Sequence, residues 1–413
     1  MPYSWENRLK ISIFGRSHEK EIGAELSGIP AGERIDYAAL HAFMRRRAPG
    51  YSEYTTARRE PDIPVITSGI TNGATDGGTI RIVIENRDAV STDYKELLDC
   101  PRPGHADYTA WVKYGGKEDM RGGGAFSGRM TAPLCAAGGV CLQILKRRNI
   151  NISAHILLIG DISDTPYDPM RGMAEVRGEF PCVSPEAAEH MKRSILAAAA
   201  EGDSLGAVIE CAADGVPAGL GGPLFEGLEG RIASLVFAIP AVKGIEFGAG
   251  FEAARLRGSE NNDPFVIRGG RVATASNNAG GILGGISDGM PLIFRAAIKP
   301  TPSIAKAQRS VSLRDMTERE LKIGGRHDPC IAPRAVRPPR LSHCLTRCWR
   351  MNMNDEMNAL RREIDGIDAE LVTLLKRRMA AAAEIAALKG ANGLPVLDSE
   401  RERALLARIR KLA

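Results

Sequence analysis

Aromatic residues are scarce: Phe, Tyr and Trp make up 5% of the 413 positions, which leaves little surface for stacking bases. Together with a net charge of only +5, this argues against an RNA-binding protein or any other nucleic-acid partner. The eight cysteines are scattered without a C-x-x-C pair, so neither a zinc site nor a disulfide framework follows. No metal is expected, and reduced thiols suit a cytoplasmic protein. No uninterrupted apolar run reaches about 18 residues, and the opening "MPYSWENRLKISIFG" lacks a signal-peptide core, so no membrane association is expected. No G-x-G-x-x-G follows a strand near the start and no repeat is visible, which makes a Rossmann domain a poor reading.

What is present is an ordinary globular composition, 44% apolar and 25% charged, in a chain long enough for one large domain and a smaller one. Leu9, Ile11 and Ile13 alternate, as do Ile80, Ile82 and Ile84, and both runs predict half-buried antiparallel strands. "TAPLCAAGGVCLQILKRR", 131–148, predicts a helix with Pro133 in its first turn and cations at its last. Further helices are expected around 185–201, ended by Gly202, and around 225–237. Near residue 337 the composition changes, and "VRPPRLSHCLTRCWRMNMN" reads as a linker or an aberrant segment over 337–353. Beyond it Leu360, Ile364, Ile367, Leu371, Leu374, Arg378, Ala381, Ile385 and Leu388 alternate spacings of four and three. That heptad seam predicts a helix over 357–389, roughly 50 Å long, packed against another helix, most simply its own copy.

The chemistry concentrates elsewhere. "RPGHADYTAWVKYGGKEDMRGGGAFSGR", 102–129, cannot form core, yet it runs into the predicted helix start at Thr131. Its glycine triplet frees backbone N–H groups, and with Ser127, Arg121 and Arg129 it suits an anion. His105 follows Pro103 and Gly104, which fix the backbone, and precedes Asp107 by two residues. His18, directly after a strand, reads either as an acid near neutral pH or as an exposed loop histidine. "SNNAGGILGGISDGMP" (276–291) has the glycine density for close backbone approach to a ligand. In "IKPTPS" (298–303), Pro300 and Pro302 stiffen a loop bearing Lys299, Thr301 and Ser303. "GGRHDPC" clusters Arg326, His327 and Asp328, and Arg45, Arg46, Arg47, Arg58 and Arg59 form either a solvated face or an anion site.

In that order, "RPGHADY", "KYGG", "RGGG", "SGR", "GDSLG", "IPAVKGIEFG", "NNAGGILGGISDG", "KPTPS" and "GRHDPC" resemble chorismate synthase, over residues 8–336. The tail from "ALRREIDGIDAELVTLLKRR" to "LPVLDSERE" resembles the all-helical chorismate mutase, one family making the other's substrate. The resemblance implies an α+β fold of antiparallel sheets sandwiching long helices, a homotetramer, and a small all-α tail. The expected division is 1–336 synthase, 337–353 linker or aberrant segment, and 354–413 partial mutase. It implies conversion of 5-enolpyruvylshikimate 3-phosphate to chorismate by 1,4-elimination of phosphate with reduced FMN. Whether NADPH or an outside reductant keeps the FMN reduced is left open. By the family pattern His18 protonates the departing phosphate, His105 sits at the flavin, and Asp328 helps remove the C6 proton. Flavin contacts carry over to Ser127, Pro240, Ala241, Gly284, Lys299, Pro300, Thr301, Pro302, Ser303 and Arg326, and substrate or NADP cations to Arg47 and Arg129. In the tail, Arg361, Arg378, Lys389, Asp398, Arg401 and Glu402 match the mutase site.

Glu19 stands where the synthase family usually has glycine, Ala125–Phe126 where it carries Arg-Ser or His-Phe, and Glu53 where some members have arginine. The mutase family continues through a third helix past the position of Ala413, so a truncated tail with weak or absent mutase activity is expected. A fused enzyme with both activities and a flavin-dependent reductase are the alternatives.

Overall fold

The computed structural model describes residues 3–5, 9–50, 52–56, 60–87, 99–168, 170, 176, 179–324, 328–336, 342–395 and 398–412. The chain runs through β1 (Tyr3–Trp5), β2 (Lys10–Gly15), β3 (Glu21–Ser27), α1 (Tyr37–Arg47) and β4 (Val65–Ser68). The small hairpin β5 (Ile70–Thr71) and β6 (Ala74–Thr75) leads to β7 (Ile80–Glu85), then α2 (Asp107–Tyr114) and α3 (Thr131–Arg147). A second sheet begins with β8 (Asn151–Ile159) and β9 (Ile162–Ser163), followed by α4 (Pro185–Ala200), β10 (Ala207–Asp214), α5 (Leu228–Phe237) and β11 (Val242–Phe247). The short α6 (Gly258–Asn261) and the hairpins β12 (Phe265–Arg268)/β13 (Arg271–Thr274) and β14 (Ile282–Leu283)/β15 (Ile286–Ser287) precede β16 (Leu292–Ile298). The hairpin β17 (Gln308–Ser312)/β18 (Thr317–Leu321) and α7 (Ala332–Val336) follow, then α8 (Ser342–Ala391) and α9 (Ser399–Leu412).

Two five-stranded antiparallel sheets result, ordered β1-β2-β3-β7-β4 and β11-β16-β10-β8-β9. The alternation of Ile80, Ile82 and Ile84 puts all three on the covered face, where they meet Leu40, Phe43 and Met44 of α1 and Ala136, Val140 and Ile144 of α3. Each such isoleucine contributes about 1.5–3 kcal/mol by leaving water. One residue further, Leu145 joins the other core, with Ile156, Ile209 and Phe294 of the second sheet, Ile195 of α4 and Ile232 of α5. Adjacent residues of α3 therefore serve the cores of both sheets.

Local chemistry sets the helix ends. Asp36 accepts from the Ala39 N–H at 2.9 Å to open α1, and Ser184 accepts from Ala187 at 3.2 Å to open α4. Three predicted helices appear close to their expected bounds; the stretch near 225 differs, because Leu224–Glu226 forms a separate 3-10 turn before α5. The chain divides into two compact units, Met1–Met351 and Asn352–Ala413. The segment expected as a linker is helical from Ser342, so α8 starts fifteen residues before the predicted 357 and spans 50 residues.

Candidate active site

In the glycine triplet of the 3-10 segment Arg121–Phe126, Gly122, Gly123 and Gly124 have φ of 59°, 88° and 53°. A side chain is strained there, and at Gly122 and Gly124 space forbids one as well. A Cβ on Gly122 would lie 2.0 Å from Cε1 of His18, and one on Gly123 would lie 3.4 Å from Nε2 of His105. The triplet is thus a thin wall carrying one histidine against each of two neighbouring glycines.

His105 is fixed from behind. Its Nδ1 lies 2.7 Å from Oδ1 of Asp107 and 3.1 Å from Nη2 of Arg102. Arg102 grips both oxygens of that carboxylate, through Nη2 to Oδ1 and Nε to Oδ2, each at 2.7 Å, and adds its backbone N–H at 3.0 Å. Its remaining Nη1 donates to Ser303 Oγ at 3.2 Å. Burial alone would raise the Asp107 pKa, but the hydrogen bonds from Arg102 and His105 outweigh it and hold the carboxyl far below its usual range.

A second charged cluster lies beneath Arg47 and Arg129. Both guanidinium groups donate to Asp62, which is 0% exposed and sits in the left-handed backbone region at φ 49°. Arg47 also reaches Thr131 Oγ1 at 3.1 Å and the Gly128 carbonyl at 3.2 Å; Arg129 reaches Asn86 Oδ1 at 2.7 Å. Burial opposes the charge of Asp62, yet Arg47 and Arg129 together bring its pKa below the usual value. Burial pushes Arg129 down, whereas attraction to Asp62 lifts Arg47 despite burial. Two cations share the Asp62 carboxylate, and the buried Glu60 adds a further attraction on Arg129.

These groups line one cavity of about 510 Å³. Ser127, Pro240, Ala241, Lys299, Thr301, Pro302, Ser303 and Asp328 line it with Arg47, Arg129 and His105. Ala241 holds φ 73°, a strained conformation for a residue with a side chain, at the turn into β11. Lys299 donates from Nζ to the Gly104 carbonyl, and burial followed by repulsion from Lys243 lowers its pKa. Asp328 accepts the Thr56 N–H at 3.0 Å and pairs with Arg334.

The sequence profile of the chorismate synthase family matches residues 9–338, and that of chorismate mutase type II matches residues 360–413. The chain belongs to the chorismate synthase family. It is an enzyme of the lyase class, with a chorismate mutase domain also present. Among its relatives, the chorismate synthase of Thermococcus gammatolerans is 47% identical over 328 residues, covering 79% of this chain and 91% of the relative. That of Pyrococcus abyssi is 48% identical with the same coverage, and that of Dehalococcoides mccartyi 46% identical over 337 residues. A crystal structure of chorismate synthase superposes with a TM-score of 0.64 at 30% identity, over 82% of this chain and 91% of that one.

Not every expected residue of the synthase site converges. Gly284 lies in the turn between β14 and β15 and Pro300 just after β16, and neither is among the cavity-lining residues. Within 276–291, Gly280 and Gly281 meet backbone: a Cβ on Gly280 would lie 2.4 Å from the Gly248 nitrogen and one on Gly281 2.5 Å from the Pro291 carbonyl, whereas one on Gly284 would meet nothing within 4 Å. His18 is not among the lining residues either, though Gly122, on which it packs, is. Arg326, His327, Arg58 and Arg59 lie outside the described residues, as does the side chain of Arg121. Sequence reasoning missed Asp62, Arg102 and Arg334, which hold the other groups in place. The signal for Arg102 was in hand, since it opens the stretch that contains His105.

In the second unit, Arg378 is exposed and Lys389 half-buried on α8, and the side chain of Arg361 lies outside the described residues. Asp398 accepts the Arg401 N–H at 3.1 Å and so opens α9, with Arg401 and Glu402 exposed in its first turn.

Proposed function

We propose that the first unit converts 5-enolpyruvylshikimate 3-phosphate to chorismate and phosphate with reduced FMN bound in the cavity. The observation that carries this reading is the pair of histidines set on adjacent glycines of one wall, beside a wall of cations. The cavity volume falls within the range of about 300–1,000 Å³ usual for small-molecule sites. Thr301 Oγ1 is buried with no hydrogen-bond partner among the described residues, an orphan hydroxyl beside Lys299 and Ser303 that a polar ligand would satisfy. Reduced FMN, when bound, supplies transient electron density to the breaking C–O bond and recovers it.

The chain's own residues manage charge and protons. Arg47 and Arg129 present positive potential to the phosphate and carboxylates of the substrate, and Asp62 keeps the pair from repelling each other apart. His18 holds a proton for the departing phosphate. His105 sits at the flavin, and Asp328, aimed by Arg334 and the Thr56 N–H, assists removal of the C6 proton. Arg102, Lys299, Thr301 and Ser303 bind and orient. The test is an anaerobic assay with chemically reduced FMN, following chorismate absorbance and phosphate release together. Equal formation of both is expected with reduced flavin and none with oxidised flavin. Stoichiometric NADPH consumption without chorismate would favour the reductase instead.

The match of 360–413 to the mutase family favours a second reading, conversion of chorismate to prephenate by α8 and α9. With the α8 seam exposed in one chain, that activity is expected to rise with protein concentration as copies pair. A homotetrameric, cytoplasmic enzyme is the proposed state of the whole. Its support is apolar surface left open on the first unit, including Phe225 at 96% and Ile267 at 74% exposure, and cysteines scattered along the sequence without a C-x-x-C pair. Light scattering on the purified chain tests the assembly.

A further inference from the structure

We propose that Asp107 is a positioning residue that fixes His105 in the tautomer protonated on Nδ1, so that Nε2 is the atom it offers at the glycine wall. This rests on the proposed role of His105 in chorismate formation. Three observations carry it. The Nδ1 to Asp107 distance is 2.7 Å, and Nε2 is the ring nitrogen nearest Gly123. Arg102 also stands 3.1 Å from Nδ1, and a guanidinium can only donate, so Nδ1 faces a donor and an acceptor at once. Donation from Arg102 to Nδ1 would move the ring proton to Nε2. The competition is decided by where Arg102 is already committed. Its Nη2 and Nε go to the two oxygens of Asp107 at 2.7 Å and its Nη1 to Ser303, so the carboxylate takes the nearest guanidinium hydrogens and leaves Oδ1 open to the imidazole. Among the described residues, Lys299 is also fixed beside this loop, held on the Gly104 carbonyl.

The arrangement makes a sharp prediction for Asp107→Asn. The position of Oδ2 receives two donors from Arg102, its backbone N–H and Nε, so the single amide oxygen belongs there. The amide nitrogen then faces His105 Nδ1 and donates to it. The ring must accept at Nδ1 and carry its proton on Nε2, the opposite tautomer.

Imidazole ¹⁵N shifts of the full-length protein read this directly, with the His105 signals assigned as those missing from His105→Gln among the seven histidines. The expected result is neutral His105 protonated on Nδ1 in the parent and on Nε2 in Asp107→Asn. In parallel kcat should fall by about 10²-fold or more with KM within threefold, because Asp107 acts through His105 and is not itself among the cavity-lining residues. A parent protonated on Nε2 overturns the proposal even where the variant does not fold. So does an Asp107→Asn protein with an unaltered tautomer, or with turnover within threefold of the parent. Failure of the parent to make chorismate refutes the function proposed for the cavity, and the tautomer measurement is still decided independently.

Discussion

Ile80, Ile82 and Ile84 of β7 are fully buried, whereas Ile364, Ile367 and Leu371 of α8 are each more than half exposed within one chain. Their apolar patterns are equally regular in the sequence, one with period two and the other with the heptad alternation. The difference teaches that periodicity identifies a face but not its cover. In the first unit the cover comes from the same chain, through α1 and α3. In the second, an apolar seam carrying Arg378 waits for a partner, and a helix of such length gains its stability from packing rather than from propensity.

The charges divide in the same way. Asp62, Arg47, Arg129, Asp107 and Arg102 are all buried in the first unit, while Arg378, Arg401 and Glu402 in the second are exposed. Substituting the two histidines set against the glycine wall should give the largest effect. His105→Ala and His18→Ala are each expected to lower chorismate formation by about 10²- to 10⁴-fold with the melting temperature within a few degrees of the parent. Turnover within threefold of the parent for either would make it a plain loop histidine.

Next in size, Asp62→Asn strands two arginines in a dry wall and should cost about 3–5 kcal/mol, as removal of one partner of a buried pair does. The sign with pH follows from the depressed pKa of Asp62 and Asp107. A carboxyl with a folded pKa below its unfolded one stabilises above the unfolded value. That contribution is lost as pH falls below about 4 toward the folded value. Denaturant melts should therefore show the parent losing stability from pH 5 downward more steeply than Asp62→Asn, and parallel curves would contradict the assignment.

A paired substitution tests the comparison itself. Ile82→Ala should cost about 2–5 kcal/mol at every protein concentration, since its cover is intramolecular. Leu371→Ala should cost within about 0.5 kcal/mol in dilute protein and more as concentration rises and copies pair. A concentration-independent loss at Leu371 of the size seen at Ile82 would show that one chain covers its own seam.

The sequence yielded the parts of the fold that depend on local periodicity. The faces of β2 and β7 and the bounds of α3 and α4 are written in alternating isoleucines and in capping residues. β3, which lies between β2 and β7, was not read, because in "EIGAELS" the alternating Ile22, Ala24 and Leu26 include the small Ala24 and stand beside the equally buried Gly23, which blurs the pattern. At the site, the two histidines and the Lys299 loop stood out through neighbouring glycine and proline. Asp62 and Arg334 did not, since a lone charge in a sequence reads as solvated surface and only a tertiary partner reveals otherwise.

The smallest effect expected is at Asp398, and it separates two roles that coincide in one side chain. Its Oδ1 accepts the Arg401 N–H at 3.1 Å, satisfying one of the four donors that open α9. α9 has only 14 residues, and exposed side chains line its first turn, so little besides this cap holds that turn. Asp398→Ala should cost about 1 kcal/mol, read as roughly fivefold faster hydrogen exchange at the amides of residues 402–405. Asparagine caps a helix as well as aspartate but carries no charge. Asp398→Asn should therefore keep the parent's exchange rates, and any change it makes in conversion of chorismate to prephenate reports the charge alone. Faster exchange in the Asn variant equal to that of the Ala variant would mean that the carboxylate charge, acting on the helix dipole with Glu400 and Glu402, rather than the hydrogen bond, holds the start of α9.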